Sequence, residues 1–497
     1  MRKNSTFVPL SVLNIDTASP VPIYRQLYAG LRNAILNGQL ASGTQLPSTR
    51  ALASELGFAR GTILNAYEQL LAEGYVEGEM GGGTYVAREL PDELLQAQSV
   101  QAVPLQQDRN SRSLSKRGIA MASTANASPY DLSPVHVFRP GLAALDEFPL
   151  KIWSQITSRH ARQRSYDLLN YGDPAGFMPL RKSIAAYLGS VRAVKCEPEQ
   201  VIIVTGSQQA LDLSARVLLD PGDDVLIEDP CYPGAKGALL GAGAHLIPIP
   251  VDKEGICITP EMVRSTAARM AYVTPSHQYP LGVTMSLSRR LALLEWARRA
   301  DAWILEDDYD SEFRYKGRPL AALQGLDTSR RVIYIGTFSK VLFPALRVGY
   351  MVVPPDLVDG FVAARTTIDL HPPTLGQVIL TDFLDEGHFG RHIRRMRELY
   401  TVRQAALVSA VEEELKGLLE ANASEAGMYL IGWLLGDLND QRASETAAAY
   451  GIEAPPLSTF RIEPGSSQGL LLGYTAFTED EIRRGVKRLA EALQSLV

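Results

Sequence analysis

Through the first 90 residues, apolar side chains recur at helical spacing. In PIYRQLYAGLRNAILNG, Ile23, Leu27, Leu31 and Ile35 stand four residues apart, a stripe along one helix face that stops at Gly38. LPSTRALASELG repeats the signal, with Ser48 placed to cap the helix and Gly57 to turn out of it. FARGTILNAYEQLLAEG predicts a third helix with Ile63, Tyr67, Leu70 and Leu71 on one face, ending at Gly74. YVEGEMGGGTYVA then changes period and predicts two short strands around a glycine-rich tip.

The pattern breaks at residue 88. The 44 residues 88–131 are rich in Gln, Ser and Ala and have no sustained apolar period, so they predict a flexible linker, with room for a short helix at 93–98. From residue 132 onward, β-branched runs alternate with longer helical segments. VIIVTG (201–206), DVLIED (224–229), MAYVTP (270–275), AWILEDD (302–308) and RVIYIGTF (331–338) read as strands, and SRRLALLEWARRA (288–300) as one of the helices between them. This is the signature of an α/β domain with a mostly parallel sheet, whose ligands bind beyond the carboxyl ends of the strands. From about Pro373 the pattern predicts a long helix followed by a smaller α+β unit.

Composition narrows the class without naming the chemistry. The 497 residues are 46% hydrophobic and 21% charged, which excludes a disordered or fibrous chain and predicts several folded units. Lys plus Arg number 49 against 55 Asp plus Glu, so bulk charge gives no support for a nucleic-acid partner. Residues 1–90 carry seven basic and seven acidic side chains, so a DNA reader there would be found by its motif order rather than by its charge. Cys196, Cys231 and Cys257 are far apart and have no zinc spacing, which predicts reduced thiols, no metal site and a cytoplasmic protein. Cys231 reads as a small packing residue.

Three helices and a ribbon over 20–87, with two helices joined by a tight turn at Gly57, predict a winged helix-turn-helix whose second helix can enter the DNA major groove. LPSTRALASELGFARGTILNAYEQLLAEGYVEGEMGGGTYV resembles the GntR family of bacterial transcription regulators. The resemblance implies that Arg50, Arg60 and Thr62 contact DNA and that the Gly81–Gly83 tip, with Gly82 at its centre, approaches the duplex closely. Leu64 stands where some relatives carry an arginine.

The strongest chemistry in the second half lies between Asp307, after the strand AWILE, and Lys340, after VIYIG in GTFSKVLFPALRVGY. A lysine at a strand end, flanked by small hydroxyls and followed by an arginine, suits a pyridoxal phosphate site, and a carboxylate on a neighbouring strand can hold the pyridine nitrogen protonated. Ser207 and Gln208 open a helix just after a strand, where backbone N–H groups favour a phosphate. Tyr232 follows another strand end and suits stacking on a flat ring.

This second half resembles fold-type I, aspartate-aminotransferase-like pyridoxal phosphate proteins, with large and small subdomains over 132–497. By that resemblance Lys340 is the lysine that bonds the cofactor, Asp307 the partner of the pyridine nitrogen, Tyr309 that of the phenolic oxygen, and Tyr232 the ring stack. Ser207, Gln208, Thr337, Ser339 and Arg347 hold the phosphate, and Tyr171 reaches the phosphate of a neighbouring subunit. Enzymes of the group commonly show Asn-Pro-Thr-Gly where this chain has Tyr279-Pro280-Leu281-Gly282, which leaves His277 or Gln278 to replace the asparagine contact.

A winged helix-turn-helix joined to such a domain is similar in architecture to MocR-type regulators, a GntR subfamily. TPSHQYPLG, GTFSK, LHPPTLGQ and GHFGRHIRRMRELY all fit it. The resemblance implies a head-to-tail homodimer that binds promoter DNA and uses the cofactor to sense a small amine, an amino acid or pyridoxal phosphate itself, away from any membrane. The alternative is a working aminotransferase with a vestigial DNA module. Arg461 is the candidate for an effector's anionic group, with His277 and Lys236 behind it. A γ-aminobutyrate sensor of the family has an arginine two positions past the stacking tyrosine, and Gly234 at that position argues against the same effector here.

Overall fold

The computed structural model describes residues 13, 15–79, 83–90, 114–125, 135–162, 168–259, 261–262, 267–317 and 320–497. They form two compact units, 1–113 and 114–497.

In the first unit the helices are α1 (Ile23–Leu36), α2 (Thr49–Leu56) and α3 (Arg60–Ala72), followed by the antiparallel pair β1 (Val76–Glu79) and β2 (Gly83–Val86). Ser48 caps α2, its Oγ accepting from the Ala51 N–H at 3.2 Å, and Gly57 ends that helix at φ 72°, a left-handed conformation that glycine adopts without strain. Leu27, Leu31, Ile35, Leu52, Ile63, Tyr67 and Leu70 make the core. Leu71 departs from the expected face and is 51% exposed. At about 100° per residue Leu70 continues the stripe begun at Ile63, whereas Leu71 lies roughly 80° round the helix. Leu13 and Leu90 also pack into this core, so the unit extends beyond 20–87 on both sides. The Gly81 and Gly82 part of the tip lies outside the described residues.

The 88–131 segment does not behave throughout as a structureless linker. Lys116–Ala125 forms α4, and Met121 of α4 packs on Gly241 so closely that a Cβ there would stand 3.2 Å from its Cγ. Its two larger apolar side chains stay about half exposed, Ile119 at 56% and Met121 at 46%, so the helix is placed by its contact with α6 rather than by deep burial. The helix expected at 93–98 lies outside the described residues.

The larger unit is built on an eight-stranded sheet. Its strands are β3 (Val201–Val204), β4 (Asp224–Asp229), β5 (His245–Asp252), β6 (Gly255–Ile256), β7 (Met270–Val273), β8 (Trp303–Asp308), β9 (Val332–Thr337) and β10 (Gly349–Val352), in the order β3-β10-β9-β8-β7-β4-β5-β6. β4, β5, β7, β8 and β9 run parallel, while β10 is antiparallel to both β9 and β3. Alternate residues feed opposite cores: Ile202, Val204, Val225 and Ile227 pack beneath the helices α5 (Ser207–Leu218) and α6 (Pro233–Ala242), and Val201 and Ile203 face the other side. Both faces are therefore covered, which explains strands that are apolar throughout.

The long helix expected after Pro373 is two helices, Thr374–Asp385 and His388–Glu414, broken at Gly387 with φ 74°. An antiparallel three-stranded sheet follows, with β11 (Leu419–Ala421), β12 (Tyr429–Leu434) and β13 (Gly469–Gly473) in that order. Among the described residues no helix is long and apolar enough to cross a membrane, and no cluster of side chains could hold a metal ion.

Candidate functional site

Parallel strands place their carboxyl ends along one edge of the large sheet, and the chain leaves each end into a loop or a helix start. Together with segments from elsewhere these ends enclose a cavity of about 200 Å³. Ser207 and Gln208 line it from beyond β3, Tyr232 from beyond β4, Asp307 and Tyr309 from the end of β8, and Thr337, Ser339 and Lys340 from the end of β9, with Arg347 just before β10. Nine of the ten expected cofactor residues thus share one cavity. Tyr171 is apart from it, 78% exposed, with its ring edge against His371 at 5.7 Å.

Asp307 is the most informative side chain. One oxygen accepts a 3.0 Å hydrogen bond from the Tyr272 hydroxyl, and the other, also buried, has no partner among the described residues. Burial pushes this carboxyl up to about 7, opposed by the Tyr272 hydrogen bond and by the charge of Lys340. A buried acceptor without a donor fits a group that brings its own N–H.

The phosphate end is prepared in the same way. Gly206 precedes α5 at φ 119°, and a Cβ on it would stand 3.2 Å from both terminal nitrogens of Arg347, so its missing side chain leaves that guanidinium beside the helix start. Ser339 Oγ is buried and has no partner among the described residues, and Thr337 Oγ1 accepts from the Ser339 N–H at 3.1 Å. Free N–H groups at a helix start, an arginine and a bare hydroxyl are the donor set of a phosphate cradle. Lys340 Nζ donates to the Gly141 carbonyl at 3.1 Å. These residues fit pyridoxal phosphate by their own chemistry: an acceptor for the pyridine nitrogen, donors for the phosphate and an amine between them.

Six further lining residues, Pro140, Gly141, Tyr272, Thr274, Met428 and Tyr429, were not apparent in the sequence. Tyr272 lies within β7 and Thr274 just after it, Pro140 and Gly141 come from far upstream, and Met428 and Tyr429 come from the small subdomain, where β12 begins at Tyr429. No local pattern marks any of them, because each is brought in by tertiary packing.

The position expected to hold an asparagine is filled by Tyr279, which lines the cavity with its ring edge-on to Tyr232, Tyr309 and Tyr429. Gln278 does not replace the asparagine: its amide donates to the Pro230 and Tyr279 carbonyls at 2.8 Å each and contacts Glu228, away from the cavity. His277 also lies outside the cavity wall, buried behind Tyr309. Arg461 is not among the lining residues either, and its guanidinium turns to the Ser467 carbonyl at 3.4 Å. Gly234 carries the carbonyl that accepts from Gln208 at 2.9 Å, and a side chain there would run into Gln208 and Tyr232. Cys231 is buried, and burial pushes its thiol up to about 12.

In the first unit, Arg50 and Arg60 are exposed and Thr62 is half-buried at the starts of α2 and α3. Arg60 Nε reaches Thr49 Oγ1 at 3.4 Å, so the two helix starts lie side by side.

Residues 146–489 match the family model described as aminotransferase class I and II, and residues 23–86 match that of bacterial regulatory proteins, gntR family. The probable rhizopine catabolism regulatory protein MocR of Rhizobium meliloti is 43% identical, over 98% of this chain and 96% of its own length. Among solved structures, the kynurenine aminotransferase of Pyrococcus horikoshii in complex with PMP superposes with a TM-score of 0.68 at 32% identity, covering 78% of this chain and 96% of the enzyme. LysN, the α-aminoadipate aminotransferase of Thermus thermophilus complexed with N-(5'-phosphopyridoxyl)-L-leucine, superposes with a TM-score of 0.70 at 31% identity, covering 76% and 97%. A regulator at this identity over nearly the whole chain, with cofactor-bound neighbours over the larger unit, fixes the family: the chain belongs to the MocR-type branch of the GntR regulators and carries a pyridoxal phosphate-binding aminotransferase domain.

Proposed function

We propose that this chain is a cytoplasmic, homodimeric transcription regulator that recognises promoter DNA through its first unit and senses a small amine, an amino acid or pyridoxal phosphate itself in the cavity of its second. The observation that carries the reading is the joint presence, in one chain, of a GntR unit and a cavity in which nine residues suited to that cofactor converge.

When bound, pyridoxal phosphate supplies an electron-withdrawing ring and an aldehyde that exchanges reversibly between a protein amine and a free one. The chain's residues divide the work of holding it. Asp307 accepts from the ring nitrogen and is kept charged by that contact. Tyr232 covers the ring face. The start of α5 with Ser207 and Gln208, together with Thr337, Ser339 and Arg347, binds the phosphate. Tyr309 donates to the phenolic oxygen. Lys340 offers the amine that an incoming effector amine displaces. Tyr171, exposed in one protomer, reaches the phosphate site of the partner in a head-to-tail dimer.

Among the described residues the cavity lining holds no cation beyond Lys340 and Arg347, which leaves the carboxylate of an amino acid, whether effector or substrate, to be met by a group from outside that lining. Arg461 could serve only by leaving the Ser467 carbonyl, which makes it an effector contact that forms on binding.

In the first unit Arg50, Arg60 and Thr62 face the duplex, and Gly82, which the sequence puts between β1 and β2, is the expected wing contact. With so few cations, affinity depends on two half-sites engaged at once. The reading is tested by selecting duplexes from a random pool with the pyridoxal phosphate-loaded protein. It predicts enrichment of a two-half-site sequence whose binding weakens in Arg60→Ala and whose salt dependence falls by about one phosphate contact. Fast, repeated transamination of an amino acid with a keto acid would instead favour the enzyme.

A further inference from the structure

Neither His277 nor Gln278 enters the cavity to replace the missing asparagine, yet His277 is too tightly specified to be a packing residue. Its imidazole is 2% exposed, and Nδ1 lies 3.0 Å from Asp310 Oδ2 and 2.9 Å from Tyr309 Oη. Two glycines make its seat. A Cβ on Gly282 would stand 3.1 Å from Nε2, and one on Gly427 would overlap the ring; both glycines have positive φ, at 72° and 99°.

Counting protons decides what this arrangement does. A carboxylate oxygen 3.0 Å from a ring nitrogen requires a proton between them, and Nδ1 has only one outward valence. With that valence committed to Asp310, the imidazole offers no lone pair to the Tyr309 hydroxyl. Tyr309 therefore accepts a share of the Nδ1 proton and keeps its own to give elsewhere. The Tyr429 hydroxyl is 3.2 Å away, longer than an ordinary O–H···O bond, so the cavity is the open destination. The titratable groups around His277 are Asp310 and Tyr309 beyond β8, Tyr279 in its own loop and Tyr429 from β12. The charges of Asp308 and Lys340 lie beyond Asp310. Nε2 is buried with no partner among the described residues, as expected of the Nδ1–H form.

We infer that His277, oriented by Asp310, is a positioning residue that fixes Tyr309 as a hydrogen-bond donor toward the phenolic oxygen of bound pyridoxal phosphate. In this chain the pair takes over, from one layer further out, the work of a side chain that would otherwise contact the ring directly. The inference rests on the cofactor reading above.

The test is a pH titration of the visible absorbance of the full-length protein loaded with pyridoxal phosphate. A donor at the phenolic oxygen draws off its negative charge and weakens its hold on the neighbouring proton, so the spectral midpoint lies at lower pH than it would without the donor. In His277→Phe the Tyr309 hydroxyl is free to turn to the Asp310 carboxylate, and the midpoint should rise by about one pH unit, a tenfold change in proton affinity. His277→Asn, whose amide nitrogen falls near Nδ1, should return the midpoint to within about a third of that shift. Tyr309→Phe should raise it alone, and adding His277→Phe should move it no further, which separates positioning from general disruption of the site. Should His277→Phe fail to fold, His277→Gln, whose amide falls near Nε2 instead, should show the same rise. A loaded His277→Phe or His277→Gln protein with the unmodified midpoint overturns the inference while leaving the cofactor reading intact. An unmodified protein with no visible band on loading overturns both.

Discussion

Tyr272 donates a 3.0 Å hydrogen bond to one oxygen of Asp307 and leaves the other, also buried, with none among the described residues. The chain therefore folds around a carboxyl group raised to about 7 by burial. A carboxyl whose folded value lies above its unfolded one binds more protons when folded, so its contribution to stability is present at low pH and lost as the pH rises from about 4 toward 7. In the cofactor-free protein, Asp307→Asn should accordingly be more heat-stable than the unmodified chain at pH 8, and the difference should shrink toward pH 5. The same variant should bind pyridoxal phosphate at least about tenfold more weakly, since a buried charge-assisted hydrogen bond is lost. Thermal melts at the two pH values and a fluorescence titration check the two halves separately.

Gly206 and Arg347 make a second paired prediction. Gly206→Ala adds a Cβ 3.2 Å from the guanidinium, at a φ of 119° that other residues rarely adopt. Cofactor affinity should fall by an order of magnitude or more, and inorganic phosphate should lose its ability to compete for the site. Both effects are read in the same titration.

Beneath the site, Arg192 and Asp308 form a pair in which both side chains are almost fully buried, 2.8 Å apart, with Tyr334 donating to the same oxygen at 2.6 Å. Arg192→Met removes one charge and leaves the other uncompensated, which costs about 3–5 kcal/mol. Chemical denaturation of the larger unit should show that loss. Adding Asp308→Asn should recover a substantial part of it.

The particular residues show why some of this was legible in the sequence and some was not. Asp307, Lys340, Ser207 and Tyr232 each sit one to three positions from a strand end, and strand ends are visible in a one-dimensional pattern of apolar runs. Tyr272 is buried within such a run, where nothing distinguishes a tyrosine that bonds a carboxylate from one that packs. Gly141, Met428 and Tyr429 reach the cavity from parts of the chain separated from Lys340 by tertiary folding alone. In the first unit Leu71 lay within the expected stripe but fell outside the core, because a run of two leucines holds only one on the face. Helix α4 had too short an apolar pattern to be recognised; its order comes from Gly241 on the helix it meets.

That contact ties the first helix of the second unit to α6, whose first turn follows Tyr232 and whose Gly234 carbonyl accepts from Gln208. A side chain at Gly241 would displace Met121. Gly241→Val should leave cofactor binding within about twofold of normal, since Tyr232 lies at the far end of α6. It should speed tryptic cleavage at Lys116 and Arg117 severalfold, because a released helix exposes its backbone. Time courses of limited proteolysis measure this directly.

The central claim is that one chain couples the cofactor cavity to DNA binding. The most direct measurement is the fluorescence anisotropy of a labelled duplex, selected from a random pool, with the pyridoxal phosphate-loaded protein and its Lys340→Ala variant as an amine panel is added. The account predicts that at least one amine changes the affinity of the unmodified protein by about fivefold or more, with a parallel change in its visible spectrum, and leaves the variant's affinity unaltered. An affinity that stays constant while the spectrum responds, or that responds equally in both proteins, would contradict it.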